Sequence, residues 1–164
     1  MKPRVAWVAF GGNLGDVRAA VAEALDHLGS VPGVRLLARS RFYRTPAWGH
    51  VDQPDFINGA IALETTLAPR QLLDLLLATE QRLGRVRGGD SPRWGPRTLD
   101  LDLLAMDGLM LDEPGLSLPH PRLHERAFVL VPLAEIAPGL VVPGRGRVTD
   151  LLAAVDATGV EAIP

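Results

Sequence analysis

The chain has 164 residues, of which 47% are hydrophobic and 22% charged, with a formal net charge of -2 and no cysteine. This composition is that of an ordinary globular protein, and it excludes disulfides, thiolate metal sites and a cysteine nucleophile. The sequence contains no apolar run near the roughly 20 residues that a membrane span requires, and no secretory signal pattern precedes Gly11. We therefore expect a single domain over residues 1–164, in a reducing, cytoplasmic compartment and without membrane contact.

The first part of the chain alternates between strand and helix patterns. Arg4–Phe10 is apolar on both faces, which is typical of a central strand. Apolar residues at three- and four-residue intervals then predict a helix over Val17–Leu28, with Asp16 as its N-cap and Gly29 at its end. A period of two predicts a strand over 34–43.

Two irregular loops separate the next predicted elements. The first, over 45–54, contains two prolines and a glycine, and a strand predicted over Phe56–Thr65 follows it. An amphipathic helix is predicted over 69–84, with proline at its first position. The second loop, over 85–96, precedes a strand predicted over Thr98–Met106.

The resulting order of strand, helix, two strands, helix and strand is typical of the split βαβ, or ferredoxin-like, arrangement. We therefore predict an α+β fold with a largely antiparallel sheet whose helices cover one face. The rest of the chain carries patterns for a short helix over 125–136, a strand over 140–142 and an amphipathic segment over 149–155. We interpret this part as a C-terminal elaboration of the same domain.

Two aspartates on the last strand of that order are candidate metal ligands. Asp100 and Asp102 alternate with leucines, so on a strand both carboxylates point to one face while the leucines enter the core. A divalent cation would relieve their repulsion, and Mg²⁺ suits oxygen-only ligands combined with substrate phosphates. The alternative is the solvent-facing side of an edge strand.

The loop before this strand is strongly basic. Five arginines occur between Gln81 and Arg97, against the single acid Asp90, in a chain whose net charge is negative. Carboxylates beside arginines are typical of phosphoryl transfer, because metal ions bridge phosphate oxygens and arginines neutralise the remaining charge. We expect Arg97, three residues before Asp100, to contact an anion, whereas Arg82 fits a solvated helix end.

Two common nucleotide-binding motifs are excluded. The glycine-rich turn after the first strand has Asn13 and Asp16 where a dinucleotide fingerprint needs glycine. The sequence also lacks G-x-x-x-x-G-K-[ST], so any nucleotide is held without a P-loop.

Six motifs occur in an order that resembles one enzyme family. They are YRTP (43–46), DQPDFIN (52–58), GRVR (84–87), RWGPRTLDLD (93–102), PHPR (119–122) and ERAFVL (125–130). Together they resemble the 6-hydroxymethyl-7,8-dihydropterin pyrophosphokinases of folate biosynthesis, over nearly the whole chain. RWGPRTLDLD is the most specific of the six.

The resemblance implies transfer of the β,γ-pyrophosphoryl group of ATP to the pterin's hydroxymethyl oxygen, with release of AMP, on a ferredoxin-like fold. It implies that Asp100 and Asp102 hold two Mg²⁺ ions and act with Arg87 and Arg97 as the catalytic set. The implied ATP contacts are Arg85, Arg87, Trp94, Arg97, Leu103, Ser117, His120 and Arg126. The implied pterin contacts are Thr45, Pro46, Trp48, Phe56, Asn58, Trp94 and Phe128.

Some positions depart from the family pattern or have a plainer interpretation. Taken alone, Phe56 and Phe128 are more typical of a core than of a ligand sandwich. The departures lie where one member of the family has Gln, Lys, Arg and Tyr near the nucleotide, and they are Leu77, Gly88, Gly115 and Pro121. They leave the adenine and ribose contacts open without touching the aspartate pair.

Two other functions fit parts of the pattern. A Mg-dependent nucleotidyltransferase also uses D-x-D on a strand, but it would release pyrophosphate and need no pterin site. An RNA-binding module would stack bases on aromatic residues, yet these make up only 5% of the chain and the aspartates occupy the face concerned. We therefore predict small-molecule substrates, no nucleic-acid partner and, from the resemblance, a monomer.

Overall fold

The structure is a computed structural model that describes residues 2–13, 15–46, 55–83 and 99–163. Four α-helices occur in these ranges: α1 (Val17–Ser30), α2 (Pro69–Leu83), α3 (Ala127–Ile136) and α4 (Val148–Ala153). The strands there are β1 (Arg4–Gly12), β2 (Val34–Arg39), β3 (Tyr43–Thr45), β4 (Phe56–Thr65), β5 (Asp100–Met106), β6 (Leu111–Glu113), β7 (Leu116–Leu118), β8 (Val141–Val142), β9 (Gly146–Arg147) and β10 (Glu161–Ala162).

Six of these strands form one antiparallel sheet. Its centre is the pair β1 and β4, which runs from Arg4 opposite Thr65 to Gly12 opposite Ile57. β5 pairs with the other edge of β1, while β2 and β3 both pair with the other edge of β4, and β10 lies beyond β3. This combination of helices and an antiparallel sheet confirms the predicted α+β class.

The prediction of one strand over 34–43 is wrong, because the chain breaks at Ser40 into β2 and β3. The Ser40 hydroxyl accepts the backbone N–H of Ala60 at 2.9 Å, and the Ser40 N–H donates to the Ala60 carbonyl at 2.9 Å. The Ser40 hydroxyl thus takes the place of a backbone carbonyl as the hydrogen-bond acceptor. Regular pairing with β4 resumes at Tyr43. In consequence Thr45, predicted to begin a loop, is the last residue of β3.

Different parts of the chain cover the two faces of the sheet. On one face, Val8 of β1 and Leu101 of β5 cluster with buried residues of α1 and α2. On the other face, Ala60 of β4 clusters with Leu130 and Leu133 of α3. Both predicted helices therefore share one face, and the C-terminal part of the chain covers part of the other.

Helix boundaries follow the predicted patterns with local corrections. The Asp16 carboxylate accepts a backbone N–H of the first turn of α1 at 3.0 Å, but the helix continues past Gly29. Pro69 begins α2 as predicted. The helix predicted from residue 125 begins instead at Ala127, because the backbone of Arg126 is extended, with φ −109° and ψ 105°, after a 3-10 turn over Leu123–Glu125.

The sequence patterns do not predict the short strands β6, β7, β9 and β10. The predicted segment over 149–155 is the helix α4, and the strand predicted from Thr98 begins at Asp100, with Thr98 itself outside the described residues. Within the described ranges, every helix is too short or too polar to cross a bilayer.

Candidate active site

A cavity of about 730 Å³ lies over the sheet on the side that α3 covers. Its floor is formed by β1, β3, β4 and β5, and its other walls by the start of α3 and by a segment near the C-terminus. The described lining residues include Phe10, Gly11, Thr45, Pro46, Phe56, Asn58, Asp100, Asp102, Glu125, Arg126, Phe128, Asp156, Thr158, Gly159 and Val160.

The two aspartates of β5 share one face of the sheet. Asp100 lies opposite Gly11 of β1, and Asp102 lies opposite Ala9. Leu101 between them is buried in the core on the other face, so strand alternation directs both carboxylates to the cavity. Asp100 is half-buried and Asp102 is exposed. The pair therefore presents its carboxylate oxygens to whatever the cavity binds.

The donor set of this pair fits Mg²⁺. This ion takes oxygen ligands and is commonly bound by one or two carboxylates together with water and substrate phosphates. In the described part of the chain, no group of three or more His, Asp or Glu side chains is placed to hold an ion. An ion on Asp100 and Asp102 would therefore take further ligands from water and a bound phosphate.

A buried carboxylate supports the aspartate pair from the helix side. Glu80 of α2 is 6% exposed, and its Oε1 accepts the backbone N–H of Leu101 at 2.7 Å. Because Leu101 lies between Asp100 and Asp102, this hydrogen bond fixes the backbone from which both carboxylates project. A buried polar group is held in place by such a bond, since breaking it leaves an unsatisfied group.

An amide on β4 lies two strands away from the aspartates. Asn58 is buried, and its Nδ2 donates to the hydroxyl of Thr45 on β3 at 2.9 Å. Gly11 of β1 pairs with Asn58, and a Cβ at Gly11 would lie 2.6 Å from Asn58 Oδ1. The missing side chain at position 11 therefore makes room for the amide.

Besides the buried Phe10 of β1, two aromatic residues line the same cavity from different elements. Phe56 begins β4, and Phe128 lies in the first turn of α3 and is 39% exposed. The Arg126 guanidinium lies 5.8 Å from the centre of the Phe128 ring, within the range of a cation–π contact. An exposed Phe in a cavity is unusual for a core residue, so the cavity has an aromatic surface to offer a ligand.

Two hydrogen bonds hold His120 next to β5 and determine the tautomer of its neutral ring. Its backbone N–H donates to the Leu104 carbonyl at 2.7 Å, and its Nδ1 accepts the N–H of Arg122 at 3.1 Å. Burial lowers the pKa of His120 below its usual 6.5, the charge of Asp102 opposes this, and the charges of Arg126 and Arg122 add to it. The neutral ring then carries its proton on Nε2, which is a hydrogen-bond donor.

The described lining of the cavity is predominantly acidic. Its carboxylates are Asp100, Asp102, Glu125 and Asp156, and Arg126 is its basic residue. Hydrogen bonds from the hydroxyl and the N–H of Thr158 lower the pKa of Asp156, which keeps it charged at neutral pH. A polyphosphate would enter this cavity only with accompanying cations or with cationic side chains from elsewhere in the chain.

The structure brings many of the predicted site residues together. Those lining the one cavity are Thr45, Pro46, Phe56, Asn58, Asp100, Asp102, Arg126 and Phe128. Leu103 is instead buried in the helix-side core, and Ser117 donates to Asp112 at 3.2 Å in the β6–β7 hairpin. The predicted residues Trp48, Arg85, Arg87, Trp94 and Arg97 lie outside the described residues.

Sequence reasoning missed three parts of this site. Glu80 follows Leu76 by four residues on the apolar stripe of α2, and a charged residue at that spacing indicates a buried partner. Gly11 falls in the predicted glycine-rich turn after the first strand, although a glycine within a strand often marks a close approach. Residues 156–160 contain an Asp-x-Thr-Gly sequence, which is typical of a turn.

Comparison with known proteins agrees with the predicted family. The model of the family 7,8-dihydro-6-hydroxymethylpterin-pyrophosphokinase (HPPK) matches residues 7–138. A 2-amino-4-hydroxy-6-hydroxymethyldihydropteridine pyrophosphokinase of Methylorubrum extorquens is 49% identical, over 96% of this chain and 98% of its own. One of Pseudomonas aeruginosa with the same name is 47% identical, over 96% of each chain.

Solved structures with low sequence identity to this chain also support the fold. The crystal structure of Plasmodium falciparum HPPK-DHPS with pteroate has a TM-score of 0.71 at 12% identity and is matched over 93% of this chain. This chain covers 44% of that longer protein. A second structure of wild-type HPPK-DHPS, with SDX-DHP, has a TM-score of 0.66. The prediction of the family from motifs is confirmed, and this chain belongs to the HPPK family.

Proposed function

We propose that this chain transfers the β,γ-pyrophosphoryl group of ATP to the hydroxymethyl oxygen of 6-hydroxymethyl-7,8-dihydropterin. The products are the pterin diphosphate and AMP, and the reaction is a step of folate biosynthesis. The observation that carries this proposal is the common cavity of the aspartate pair on β5 and the Asn58–Thr45 pair on β4 and β3. One end suits a metal-bound phosphate, and the other suits a polar, flat ring.

We assign the pterin to the part of the cavity around Asn58. Its amide is held by Thr45 and would read the donor and acceptor edge of the ring, while Phe56 and Phe128 would contact its faces. Adjacent strands lie about 4.8 Å apart, so Asn58 on β4 and the aspartates on β5 are separated by about 10 Å. A fused bicyclic ring with a hydroxymethyl arm suits such a span. Pro46 is assigned to the rim, and Trp48 and Trp94 remain candidates from the family resemblance.

We assign Mg²⁺ and the phosphates to the aspartate end. Asp100 and Asp102 would hold the metal, which neutralises charge on the transferring phosphoryl group when it is bound. The two carboxylates would hold the ion at the end of the cavity away from Asn58, and positioning supplies most of the catalysis in phosphoryl transfer. Two bound Mg²⁺ ions remain the prediction from the resemblance.

The cationic contacts to ATP are assigned to residues on several segments. Arg126 extends its charge into the acidic cavity, and the Nε2 proton of His120 would be donated to a phosphate oxygen. We assign the same electrostatic role to Arg85, Arg87 and Arg97, since the acidity of the described lining requires compensating charge. Leu103 and Ser117 remain candidate ATP contacts from the resemblance.

Several finer predictions accompany this function. The sheet order β3-β4-β1-β5, with α1 and α2 on one face, supports a ferredoxin-like subclass for the α+β fold. The single domain, the monomeric state and the cytoplasmic location stay predictions. Size-exclusion chromatography with light scattering, over a range of concentrations, tests the monomer.

The test of the function is a product analysis. The protein is incubated with Mg-ATP and 6-hydroxymethyl-7,8-dihydropterin, each omitted in turn, and the nucleotides and pterins are separated. Pterin-dependent AMP in equal amount to pterin diphosphate is the expected result. Pterin-independent release of pyrophosphate would instead indicate a nucleotidyltransferase and contradict the proposal.

A further inference from the structure

A short segment near the C-terminus forms a wall of the cavity to which the proposed reaction assigns no role. Asp156, Thr158, Gly159 and Val160 all line the cavity. The family model ends at residue 138, so this wall lies outside the region that defines the family. The six sequence motifs end at Leu130, so none of them includes this wall.

The segment is anchored to the strand that carries Thr45. Glu161 and Ala162 form β10, which pairs with Arg44 and Tyr43 of β3. Just beyond, the N–H of Ile163 donates to a carbonyl oxygen of the chain before β3 at 2.9 Å. An exposed ion pair joins the Arg44 Nη2 and Glu161 Oε2 at 3.2 Å. The position of the wall is therefore set by the same strand that positions Thr45.

The wall is a tight turn that contacts the rim of the cavity. The Thr158 N–H donates to Asp156 Oδ1 at 2.9 Å, and the Val160 N–H donates to the Ala157 carbonyl at 3.1 Å. Gly159 has φ +92°, and a Cβ there would lie 3.6 Å from Cδ of Pro46. The turn therefore packs directly against Pro46 and leaves little space between the wall and the rim.

The order of the strands defines where this wall lies relative to the rest of the site. Reading across the sheet, Asp100 is on β5, Gly11 on β1, Asn58 on β4 and Thr45 on β3, with β10 next. Val160 immediately precedes β10, so it lies on the side of the Asn58–Thr45 pair that is opposite to the aspartates. A ring that is bound by Asn58, with its reacting arm toward Asp100, has another edge toward the wall.

We propose that residues 156–160 form the outer wall of the heterocycle subsite, in which Val160 limits the size of the flat ring that this subsite accepts. The proposal deepens the proposed function and rests on it. Val160 and Pro46 supply apolar contacts at the ring edge, and the Asp156–Thr158 hydrogen bond holds the turn in place. The wall acts on the pterin and not on ATP, because the phosphates lie at the opposite end of the cavity.

The test compares substitutions of one valine inside the wall with the same substitution elsewhere. Val160→Phe narrows the subsite and Val160→Ala widens it. Val141→Phe is the matched control, since Val141 is 55% exposed on β8 and is not among the cavity's lining residues. For each protein, kcat and the KM values for pterin and ATP are measured, with the thermal midpoint as the check on folding.

Val160→Phe is expected to raise the pterin KM by about tenfold or more, with kcat and the ATP KM unchanged. Val160→Ala is expected to raise kcat/KM for a ring-alkylated pterin relative to the natural substrate. Unchanged pterin KM values in both variants, or equal changes for pterin and ATP, would overturn the proposal. A wild-type protein that makes no pterin diphosphate would overturn the proposed function instead.

A second pair of variants tests the turn and leaves Val160 unchanged. Asp156→Ala removes the acceptor of the Thr158 N–H and is expected to raise the pterin KM. Asp156→Asn keeps an acceptor oxygen and is expected to restore the wild-type pterin KM. Equal KM values for Asp156→Ala and the wild type would show that the turn does not shape the subsite.

Discussion

The carboxylate of Glu80 on α2 accepts the backbone N–H of Leu101 on β5 at 2.7 Å, beneath the sheet face on which Asp100 and Asp102 lie. A helix residue from the core side thus holds the peptide group between Asp100 and Leu101, in the backbone that connects the two aspartate positions. The pair of carboxylates consequently projects from a backbone that is fixed from both sides, by β1 in the sheet and by α2 below it. Such support is what a metal-binding pair on a strand requires.

The first prediction concerns this support. Glu80→Ala is expected to lower the free energy of unfolding by about 1–3 kcal/mol, because a buried N–H loses its acceptor. It is also expected to lower kcat, because the backbone between the aspartates loosens. Glu80→Gln keeps an acceptor oxygen, so its free energy of unfolding and its kcat should lie between those of the wild type and those of Glu80→Ala. Urea unfolding and steady-state kinetics measure both effects, and wild-type values for Glu80→Ala would contradict the assigned role.

The second prediction concerns the metal. Asp102→Asn and Asp100→Asn are each expected to lower turnover by several orders of magnitude with the fold intact, since the charge that holds the metal is reduced. Each should also raise the Mg²⁺ concentration required for half-maximal rate. Asp74→Asn, on the exposed side of α2, is the matched control and should behave as the wild type. Near-normal turnover in either β5 variant would exclude the metal assignment.

The third prediction concerns the space that Gly11 leaves for Asn58. Gly11→Ala places a Cβ 2.6 Å from Asn58 Oδ1, so the amide must shift and its hydrogen bond to Thr45 weakens. We expect a higher pterin KM and a small effect on the ATP KM. The double variant Gly11→Ala with Asn58→Ala should be no worse than Asn58→Ala alone, because the clash is gone.

A simple control separates this effect from a general intolerance of alanine. Gly29→Ala adds a Cβ that has no heavy atom within 4 Å, in a helix where alanine is preferred over glycine. It should leave the kinetics unchanged and raise stability slightly. If Gly11→Ala has wild-type kinetics as well, the close approach of Gly11 and Asn58 is not important for binding.

The fold was predictable wherever a pattern of side chains determines the local structure. β4 runs from Phe56 to Thr65 as predicted, because a mainly apolar run with Phe56, Ile57 and Ile61 follows an irregular, proline-containing stretch. The break at Ser40 was not predictable, because it depends on a hydroxyl that bonds to Ala60, twenty residues away in sequence. β10 has two exposed residues and no hydrophobic pattern, so only its pairing with β3 defines it.

The same distinction applies to the site. The common face of Asp100 and Asp102 follows from the period of a strand, so the sequence alone predicts it. That Asn58 lies two strands from the aspartates depends on the order of the strands, which local patterns do not determine. The wall at 156–160 depends on a pairing between the end of the chain and β3, at a separation of more than one hundred residues. Such contacts carry no local signal.

The fourth prediction concerns the protonation of His120. The pKa of His120 lies below 6.5 in the folded protein. At a pH between the folded-state pKa and 6.5, the unfolded chain therefore binds more protons than the folded one. The free energy of unfolding therefore rises with pH through this window. Below the folded-state pKa, the destabilisation of the folded protein by His120 is fully present. Protonation would also convert Nδ1 into a donor facing the N–H of Arg122, which breaks that hydrogen bond. Urea unfolding between pH 5 and 8 measures the free energy of unfolding at each pH. We expect it to rise less with pH in His120→Gln than in the wild type.

A direct titration of the ring makes this result specific to His120. Proton NMR of the His120 ring, assigned by its loss in His120→Gln, measures the midpoint directly in the metal-free protein. A midpoint at or above 6.5 would contradict the prediction. A midpoint below it would mean that most of the rings are neutral at pH 7, with the proton on Nε2 as a hydrogen-bond donor.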